Sequence, residues 1–310
     1  MLQVKGNKIL QDNVECQIKG ISLIDIGELA MIGRGFKARI DTAKQFWDIN
    51  TIRLPVYPPE VIGRRSPFPY SPRNRVIESA LAPAAAYAEA LDLNIIIDWH
   101  QINPLNAQTT DQALAFWREA IPLVKDFDNV IFEIYNEPSN GNGIPIWEST
   151  ATESWAECKP FLQTLVSGVR ELSDNLIICP TPTYCRLPLG ANADPIKGEN
   201  VAYSVHVYPP EVLGMGQVMS EYFQGHVDFN YGVLDQIRQS QNIPLVMTEV
   251  GFNMENEKFT DGFKKLLQEG PLNWIAWCLD PVWWPPLLTK YNVPSKFGKE
   301  VKKLMIGDND

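Results

Sequence analysis

Residues 130–138 read Val-Ile-Phe-Glu-Ile-Tyr-Asn-Glu-Pro. The apolar, β-branched part of this stretch is typical of a strand buried on both faces, as in parallel sheets. Pro138 has no N–H to give to a sheet ladder, so it ends the strand. Glu137 is thereby placed at the C-terminal end of a buried strand, which is where barrels of parallel strands carry out their chemistry.

A second stretch has the same design. Residues 244–251 read Pro-Leu-Val-Met-Thr-Glu-Val-Gly and place Glu249 near the end of another apolar run. Two acids on two strand ends match the needs of glycosidic bond cleavage, in which one carboxyl group protonates the leaving oxygen and the other attacks the sugar carbon. The alternative is that each glutamate is a structural acid in an ion pair.

Eight β-rich runs alternate with helical stretches along the chain, and this count predicts an α/β fold, a (β/α)8 TIM barrel. No linker or change of composition divides the sequence, so we expect a single catalytic domain over residues 1–310, with a short N-terminal β-ribbon at residues 4–10. A helix is predicted at residues 74–91, started or kinked at Pro83, whereas no good helix is predicted at residues 183–197. The predicted barrel strands are residues 14–22, 51–56, 93–100, 130–136, 176–180, 200–208, 245–250 and 274–279.

The composition excludes several classes of partner. A net charge of −10 argues against nucleic acid, whose affinity comes largely from neutralised phosphates. No apolar run approaches the roughly 20 residues of a membrane span, so no membrane partner is expected. The five cysteines lack paired metal-ligand spacing, so neither a metal nor a cofactor is expected. Cys179 and Cys185 could form a short bridge, although buried free thiols are the preferred interpretation.

Polar and aromatic side chains gather at the predicted strand ends. Because these ends share one mouth of a barrel, we expect the side chains to line one cleft. They are Arg53, His100, Asn136, Glu137, His206, Tyr208, Glu249 and Trp277.

In their order along the chain, the segments that carry these residues resemble the family 5 glycoside hydrolases, the large cellulase family of the retaining barrel clan. The resemblance implies that Glu137 is the general acid/base and Glu249 the nucleophile. Two departures, the weak fifth crossover and the Trp283-Trp284-Pro285-Pro286 loop, leave the substrate open. The matching segments are Ile52-Arg53-Leu54-Pro55, Asp98-Trp99-His100, Tyr135-Asn136-Glu137-Pro138, His206-Val207-Tyr208, Thr248-Glu249-Val250-Gly251 and Trp274-Ile275-Ala276-Trp277.

The remaining strand-end residues receive supporting roles. An adjacent Arg53 favours the ionised form of Glu249, and Tyr208 could donate a hydrogen bond to the same carboxylate. Asn136 could bind the sugar 2-OH, a contact that tightens in the transition state. Glu137 needs a raised pKa, which partial burial and the negative charge of Glu249 would supply.

The other side chains are assigned with their alternatives. His100 and His206 are expected to line the cleft, with Trp277 as its floor and Trp283 and Trp284 as a sugar-stacking platform. Arg53 could instead be a core ion pair, Trp277 could be core, and the two loop tryptophans could pack on the barrel rim. Asp98 and Glu133 are interpreted as structural, and Trp99 as core.

The sequence therefore predicts a retaining endo-glucanase that cleaves β-1,4-glucan, with mannan, xyloglucan and mixed-linkage β-glucan as alternative substrates. A metal-dependent barrel hydrolase using Asp98, His100, His206 and a glutamate is a lower-ranked alternative, as is a non-catalytic carbohydrate-binding barrel. We expect a monomer whose partner is a β-glucan polysaccharide or oligosaccharide. A polymer substrate also suggests a secreted protein whose signal peptide is absent from this chain.

Overall fold

A computed structural model describes residues 1–31, 35–61, 64–65, 77–139, 151–209, 228–252, 254–255 and 257–307. Eight parallel strands close into a barrel, which confirms the predicted (β/α)8 fold. In order around the barrel they are β4 (Lys19–Ser22), β5 (Thr51–Val56), β8 (Asn94–Trp99), β9 (Val130–Glu133), β10 (Ile177–Pro180), β11 (Val201–Val207), β12 (Leu245–Val250) and β13 (Asn273–Ala276), which pairs with β4. A two-stranded sheet of β6 (Glu60–Val61) and β7 (Arg64–Arg65) follows β5.

The N-terminal ribbon is a three-stranded antiparallel sheet of β1 (Leu2–Lys5), β2 (Lys8–Gln11) and β3 (Val14–Glu15). The predicted strand at residues 14–22 was therefore wrong in its extent, because β3 pairs with β2 while β4 pairs with β5. Leu2 and Ile9 pack on the apolar residues inside the barrel, so the sheet covers the barrel's N-terminal end.

Helices surround the barrel, and two of the described helix N-termini carry a side-chain cap, Asn106 and Ser295. Asn106 caps the helix Ala107–Val124, and the Thr109 side chain accepts from the Asn106 N–H in return, which completes a capping box. Pro83 lies in the first turn of its helix, where a missing N–H costs nothing; residues 74–76 of that predicted helix lie outside the described residues. None of the described helices is long and apolar enough to cross a membrane. The helices in the described ranges are Ile26–Met31, Phe36–Phe46, Ala82–Ala90 after a π-helical turn at Ile77–Leu81, Ala107–Val124, Ala151–Arg170, Pro182–Cys185, Leu189–Ala193, Asp228–Gln239, Glu257–Gln268 and Lys296–Ile306.

The fifth crossover, between β10 and β11, contains two short helices, Pro182–Cys185 and Leu189–Ala193, and no long helix within its described residues. This agrees with the sequence, which predicted no good helix at residues 183–197. Thr183, Tyr184 and Cys185 are consecutive residues with φ of 57°, 56° and 56°, so the chain makes a left-handed turn here. All five cysteines are free thiols, and the bridge between Cys179 and Cys185 does not form.

The side chains inside the barrel form two layers. Toward the N-terminal end, Ile96, Ile131 and Val246 belong to one apolar cluster. Two residues further along the same strands lie Asp98, Glu133 and Thr248, all fully buried. Because successive side chains of a strand alternate between faces, residues two apart share a face in regular strand. The apolar layer thus supports a polar layer at the C-terminal mouth.

Candidate active site

Arg53 lies at the centre of the polar layer and is fully buried. Its Nε donates to Glu133 Oε2 at 2.6 Å, and its Nη1 donates to Glu249 Oε1 at 2.9 Å. Its Nη2 donates to Asn136 Oδ1 at 2.7 Å and lies 2.9 Å from Asp98 Oδ2. A buried guanidinium needs such partners because an unpaired charge is costly away from water. Arg53 is therefore both a core ion-pair residue and a direct neighbour of Glu249.

Glu249 is held on both carboxylate oxygens. Oε1 accepts from Arg53, and Oε2 accepts from the Tyr208 hydroxyl at 2.7 Å. Behind Tyr208, a Cβ built on Gly251 would lie 2.7 Å from both Pro285 Cγ and Tyr208 Cε1. Only a glycine leaves room for both rings at this position. The loop after β13 and the residue that holds Glu249 thus pack against the same glycine.

Glu137 lies beside Glu249, as the sequence predicted. His206 Nδ1 lies 2.6 Å from Glu137 Oε1 and 3.6 Å from Glu249 Oε2. One carboxylate oxygen of each acid and one His206 nitrogen all lie within 4.8 Å of one another. Burial raises the pKa of Glu137 to about 7, and nearby basic side chains partly oppose this rise. The Glu137 side chain remains 16% exposed, so the pair can be reached from outside.

Aromatic rings form one wall of the site around His100. The His100 ring stacks on Trp277, with centroids 5.6 Å apart and an interplanar angle of 9°, and lies 4.3 Å from the Tyr57 ring. Its Nδ1 lies 2.6 Å from Asp98 Oδ2. Burial lowers the pKa of His100 to about 4, so the ring is neutral near pH 7. Trp283 continues this wall, edge-on to Trp277 at 6.4 Å.

The predicted tryptophans differ in their exposure. Trp277 is 6% exposed, whereas Trp283 and Trp284 are 38% and 45% exposed. Trp283 also packs edge-on against Tyr57 at 6.3 Å, so it contacts the rim and still presents an open surface. Trp99 packs in the core against Phe116, as predicted.

Asp98 and Glu133, interpreted from sequence as structural, lie in the polar layer and hold the side chains around the two glutamates. Asp98 contacts both Arg53 and His100, and Glu133 contacts Arg53. Strand alternation could have found them, because each lies two residues beyond an inward isoleucine on its strand.

Two further residues at the site were missed. Thr248 shares the inward face of Val246 and contacts His206 Nε2 at 3.0 Å. A register shift in β12, which opposes Val246 to Ser204 but Glu249 to His206, turns the adjacent Glu249 inward as well. Arg186 is 3% exposed and follows the left-handed turn of the fifth crossover; burial lowers its pKa to about 10, and the charge of Glu137 opposes this. Neither a bulge nor this turn leaves a signal in a single sequence.

One group of side chains within the described ranges has the donor atoms for a metal ion, namely Glu137, His206 and Glu249. It differs from the set that the sequence left as an alternative. Asp98 is engaged by Arg53 and His100 instead, so that set is not assembled around a common point.

Two carboxyl groups this close at a barrel mouth, one with a raised pKa and one held by a guanidinium and a phenol, are what cleavage of glycosidic bonds requires. Fold and site together define a glycoside hydrolase. The sequence profile described as Cellulase (glycosyl hydrolase family 5) matches residues 9–282, and the chain belongs to this family.

Individual relatives agree with this assignment. Cellulase CelDZ1 from Thermoanaerobacterium sp. is 26% identical over 294 residues, which are 90% of this chain and 70% of that protein. An endoglucanase from Halalkalibacter akibai is 30% identical over 261 residues, 75% of this chain but 30% of that protein. The β-glucanase SdGluc5_26A from Saccharophagus degradans, solved with cellotetraose, superposes with a TM-score of 0.77 at 22% identity, covering 100% of this chain and 94% of that one. This last likeness concerns the fold.

Proposed function

We propose that the protein is an endo-acting hydrolase of β-1,4-glucan that retains the anomeric configuration. The observation that carries the proposal is the approach of Glu137 and Glu249 oxygens to within 4.8 Å. Retaining glycosidases need about 5–5.5 Å between their two carboxyl groups, whereas inverting enzymes need about 6.5–9.5 Å to admit a water. The short separation favours direct attack by one of the acids.

In the first step, the Glu249 carboxylate attacks the anomeric carbon while Glu137 gives its proton to the leaving oxygen. Arg53 and Tyr208 hold one Glu249 oxygen each, which fixes the carboxylate for attack. In the second step, the ionised Glu137 takes a proton from water, and that water releases the sugar from Glu249.

Asn136 supports this mechanism as a substrate-binding residue. Its Oδ1 accepts from Arg53, which leaves Nδ2 as the amide donor. Within the described part of the chain, this buried Nδ2 has no hydrogen-bond partner. An unsatisfied buried donor costs free energy, and a sugar 2-OH would satisfy it.

The substrate is proposed from the relatives and tested directly. The names cellulase and endoglucanase, and the cellotetraose bound to the structural neighbour, favour a β-1,4-glucan. Carboxymethylcellulose, mixed-linkage β-glucan, xyloglucan and galactomannan should be compared by reducing-sugar release and viscosity. Fastest release from the cellulosic glucan, with an early fall in viscosity, is expected. Preference for galactomannan would contradict the proposed substrate.

Stereochemistry and chelation test the mechanism. Proton NMR of a cello-oligosaccharide digest should show the β-anomer first, and early α-anomer would contradict retention. Exhaustive chelation should leave activity unchanged. Activity that is lost and then restored by a divalent metal would instead favour metal chemistry at Glu137, His206 and Glu249.

The pH dependence follows from Glu137. Its carboxyl group must be protonated to act as the acid, and its pKa is raised to about 7 by burial. We expect kcat/KM to hold below pH 7 and to fall tenfold per pH unit well above it, because this ratio reports the free enzyme. A profile flat through pH 9 would contradict the role of Glu137.

The Trp284→Ala variant should weaken binding of polymer while leaving the chemistry intact. Loss of one stacking face of about 0.5–1.5 kcal/mol should raise KM for soluble glucan by about two- to tenfold. Because Trp284 is 45% exposed, folding should be unaffected. Val282→Ala, on the same loop and 83% exposed, is the matched control with an unchanged KM. An unchanged KM in Trp284→Ala would remove this residue from the platform.

A further inference from the structure

Behind His206, hydrogen-bonding side chains extend from the site into the barrel. His206 Nε2 lies 3.0 Å from Thr248 Oγ1, which lies 2.5 Å from Ser204 Oγ. Ser204 Oγ donates to Glu133 Oε1 at 3.4 Å, the longest of these contacts. All four side chains are fully buried, so bulk water does not compete for their hydrogen bonds. Thr248, Ser204 and Glu133 together are named the His206 chain.

The charge of Glu133 gives the His206 chain a direction. Glu133 Oε2 accepts from Arg53 Nε at 2.6 Å, and this charge-assisted contact opposes the rise that burial gives the pKa of Glu133. In its ionised form Glu133 can only accept. Ser204 Oγ also lies 3.6 Å from Cys185 Sγ, whose thiol donates to the Asn136 carbonyl at 3.0 Å, so both of these neighbours accept from Ser204. A Ser204 hydroxyl that donates to them requires Thr248 to donate to Ser204. Thr248 is left as an acceptor toward the ring, so His206 carries its proton on Nε2.

We propose that the His206 chain fixes the Nε2–H tautomer of His206 and thereby keeps the acid proton on Glu137. With the ring proton on Nε2, Nδ1 presents a lone pair to Glu137 Oε1 at 2.6 Å. A lone pair facing a carboxyl oxygen is favourable when that oxygen carries a proton to donate. The members of the chain are positioning residues, because they act through His206. The inference rests on the acid role proposed for Glu137.

Other titratable and charged groups also face Glu137 and contribute to its protonation. Burial lowers the pKa of both imidazoles at the site to about 4, so neither ring brings a positive charge near pH 7. Burial also raises the pKa of the nearby phenol and thiol, which stay neutral. Removing a hydroxyl group from the His206 chain alters none of these charges. Burial also raises the pKa of the Asp98 carboxyl to about 7, so Asp98 titrates in the same range as Glu137. The positive groups are Arg53 and Arg186, the other carboxyl groups are Asp98 and Glu249, and the neutral groups are His100, Tyr208 and Cys185.

Hydroxyl-deleting variants test the chain through the pH profile. Thr248→Val removes the acceptor for Nε2–H, so the ring proton moves to Nδ1, where ionised Glu137 accepts it. The alkaline limb of kcat/KM should therefore fall by about one pH unit. Ser204→Ala frees the Thr248 hydroxyl to donate to Nε2 and should lower the limb as well. The double variant should shift no further than Thr248→Val, and Thr248→Ser should restore the limb.

Thr181→Val is the matched control. Thr181 is buried, and its hydroxyl donates to the Ser204 carbonyl at 2.8 Å, outside the His206 chain. Its limb should stay at the wild-type position. The inference would be overturned if folded Thr248→Val and Ser204→Ala variants kept the alkaline limb of kcat/KM at the wild-type pH. It would also be overturned if Thr181→Val shifted that limb as far as they do. A wild-type enzyme without turnover on any glucan would overturn the proposed function instead.

The wild-type protein supplies a test that does not depend on variants folding. The sequence holds three histidines, so ¹⁵N-histidine labelling gives NMR signals from three imidazole rings. The signals that change in Thr248→Ser or disappear in a His100 variant help to assign the His206 ring. Below the alkaline limb, the His206 ring should show the Nε2–H pattern. An Nδ1–H pattern there would overturn the inference.

Discussion

Glu249→Ala is expected to lower kcat by about a thousandfold or more, a loss of about 4 kcal/mol of transition-state stabilisation. The variant lacks the carboxylate that would attack the sugar, and it leaves the donors of Arg53 and Tyr208 without their acceptor. Steady-state rates on soluble glucan and on an aryl cellobioside measure the effect. Near-normal turnover on either substrate would contradict the role of Glu249 as nucleophile.

A control and a rescue sharpen this test. Glu89→Ala removes an exposed glutamate from the helix Ala82–Ala90 and should keep wild-type rates. Azide is small enough to enter the space left by the Glu249 carboxylate and can attack the anomeric carbon directly. The Glu249→Ala variant should then form a glycosyl azide of inverted configuration. A retained configuration would indicate that another protein group forms the covalent intermediate.

Arg53→Met should reduce both stability and activity. Removing one partner of a buried ion pair costs about 3–5 kcal/mol, and Arg53 serves three buried carboxylates. Urea unfolding near pH 7 should show a free energy of unfolding lower by at least that amount. Turnover should fall as well, because Glu249 and Asn136 lose the group that orients them.

The pH dependence of this variant gives an independent check. Burial already raises the pKa values of Asp98 and Glu133 against the pull of Arg53, and removing the guanidinium takes away this opposing charge. The folded variant then binds more protons than the unfolded chain, so its stability should rise as the pH falls from 7 toward 5. Arg118→Met, at an exposed position on the helix Ala107–Val124, should match the wild type throughout. A stability deficit that does not shrink at lower pH would contradict uncompensated carboxylates.

The sequence predicted the barrel and the neighbours Glu137 and Glu249 because both depend on local pattern. An apolar run that ends in a polar residue predicts a strand end, and parallel strands bring those ends together. Thr248 was missed because a one-residue bulge in β12 turns consecutive side chains toward the same site. Arg186 was missed because its position depends on the contact of Tyr184 N–H with Pro138 O at 2.9 Å, which no periodicity encodes.

The N-terminal region shows a similar limit. Residues 14–22 are one β-rich run in sequence, yet antiparallel pairing of β3 with β2 competes with parallel pairing of β4 with β5. Strand propensity alone does not show which residues of this run pair with β2 and which pair with β5. Asp98 and Glu133 show a limit of a different kind. They were predicted to be structural residues within strands, but their shared partner Arg53 appears only once the barrel has closed.

The packing of Pro285 and Tyr208 around Gly251 limits how such a barrel can diversify. The segment that displays Trp283 and Trp284 continues into Pro285, which packs on the same glycine as the phenol bound to Glu249. A loop grafted from a relative with another sugar preference would therefore change the position of Tyr208 as well as the sugar contacts, unless it restored the packing of Pro285 on Gly251. New specificities should arise more readily through rim segments that have no share in this contact.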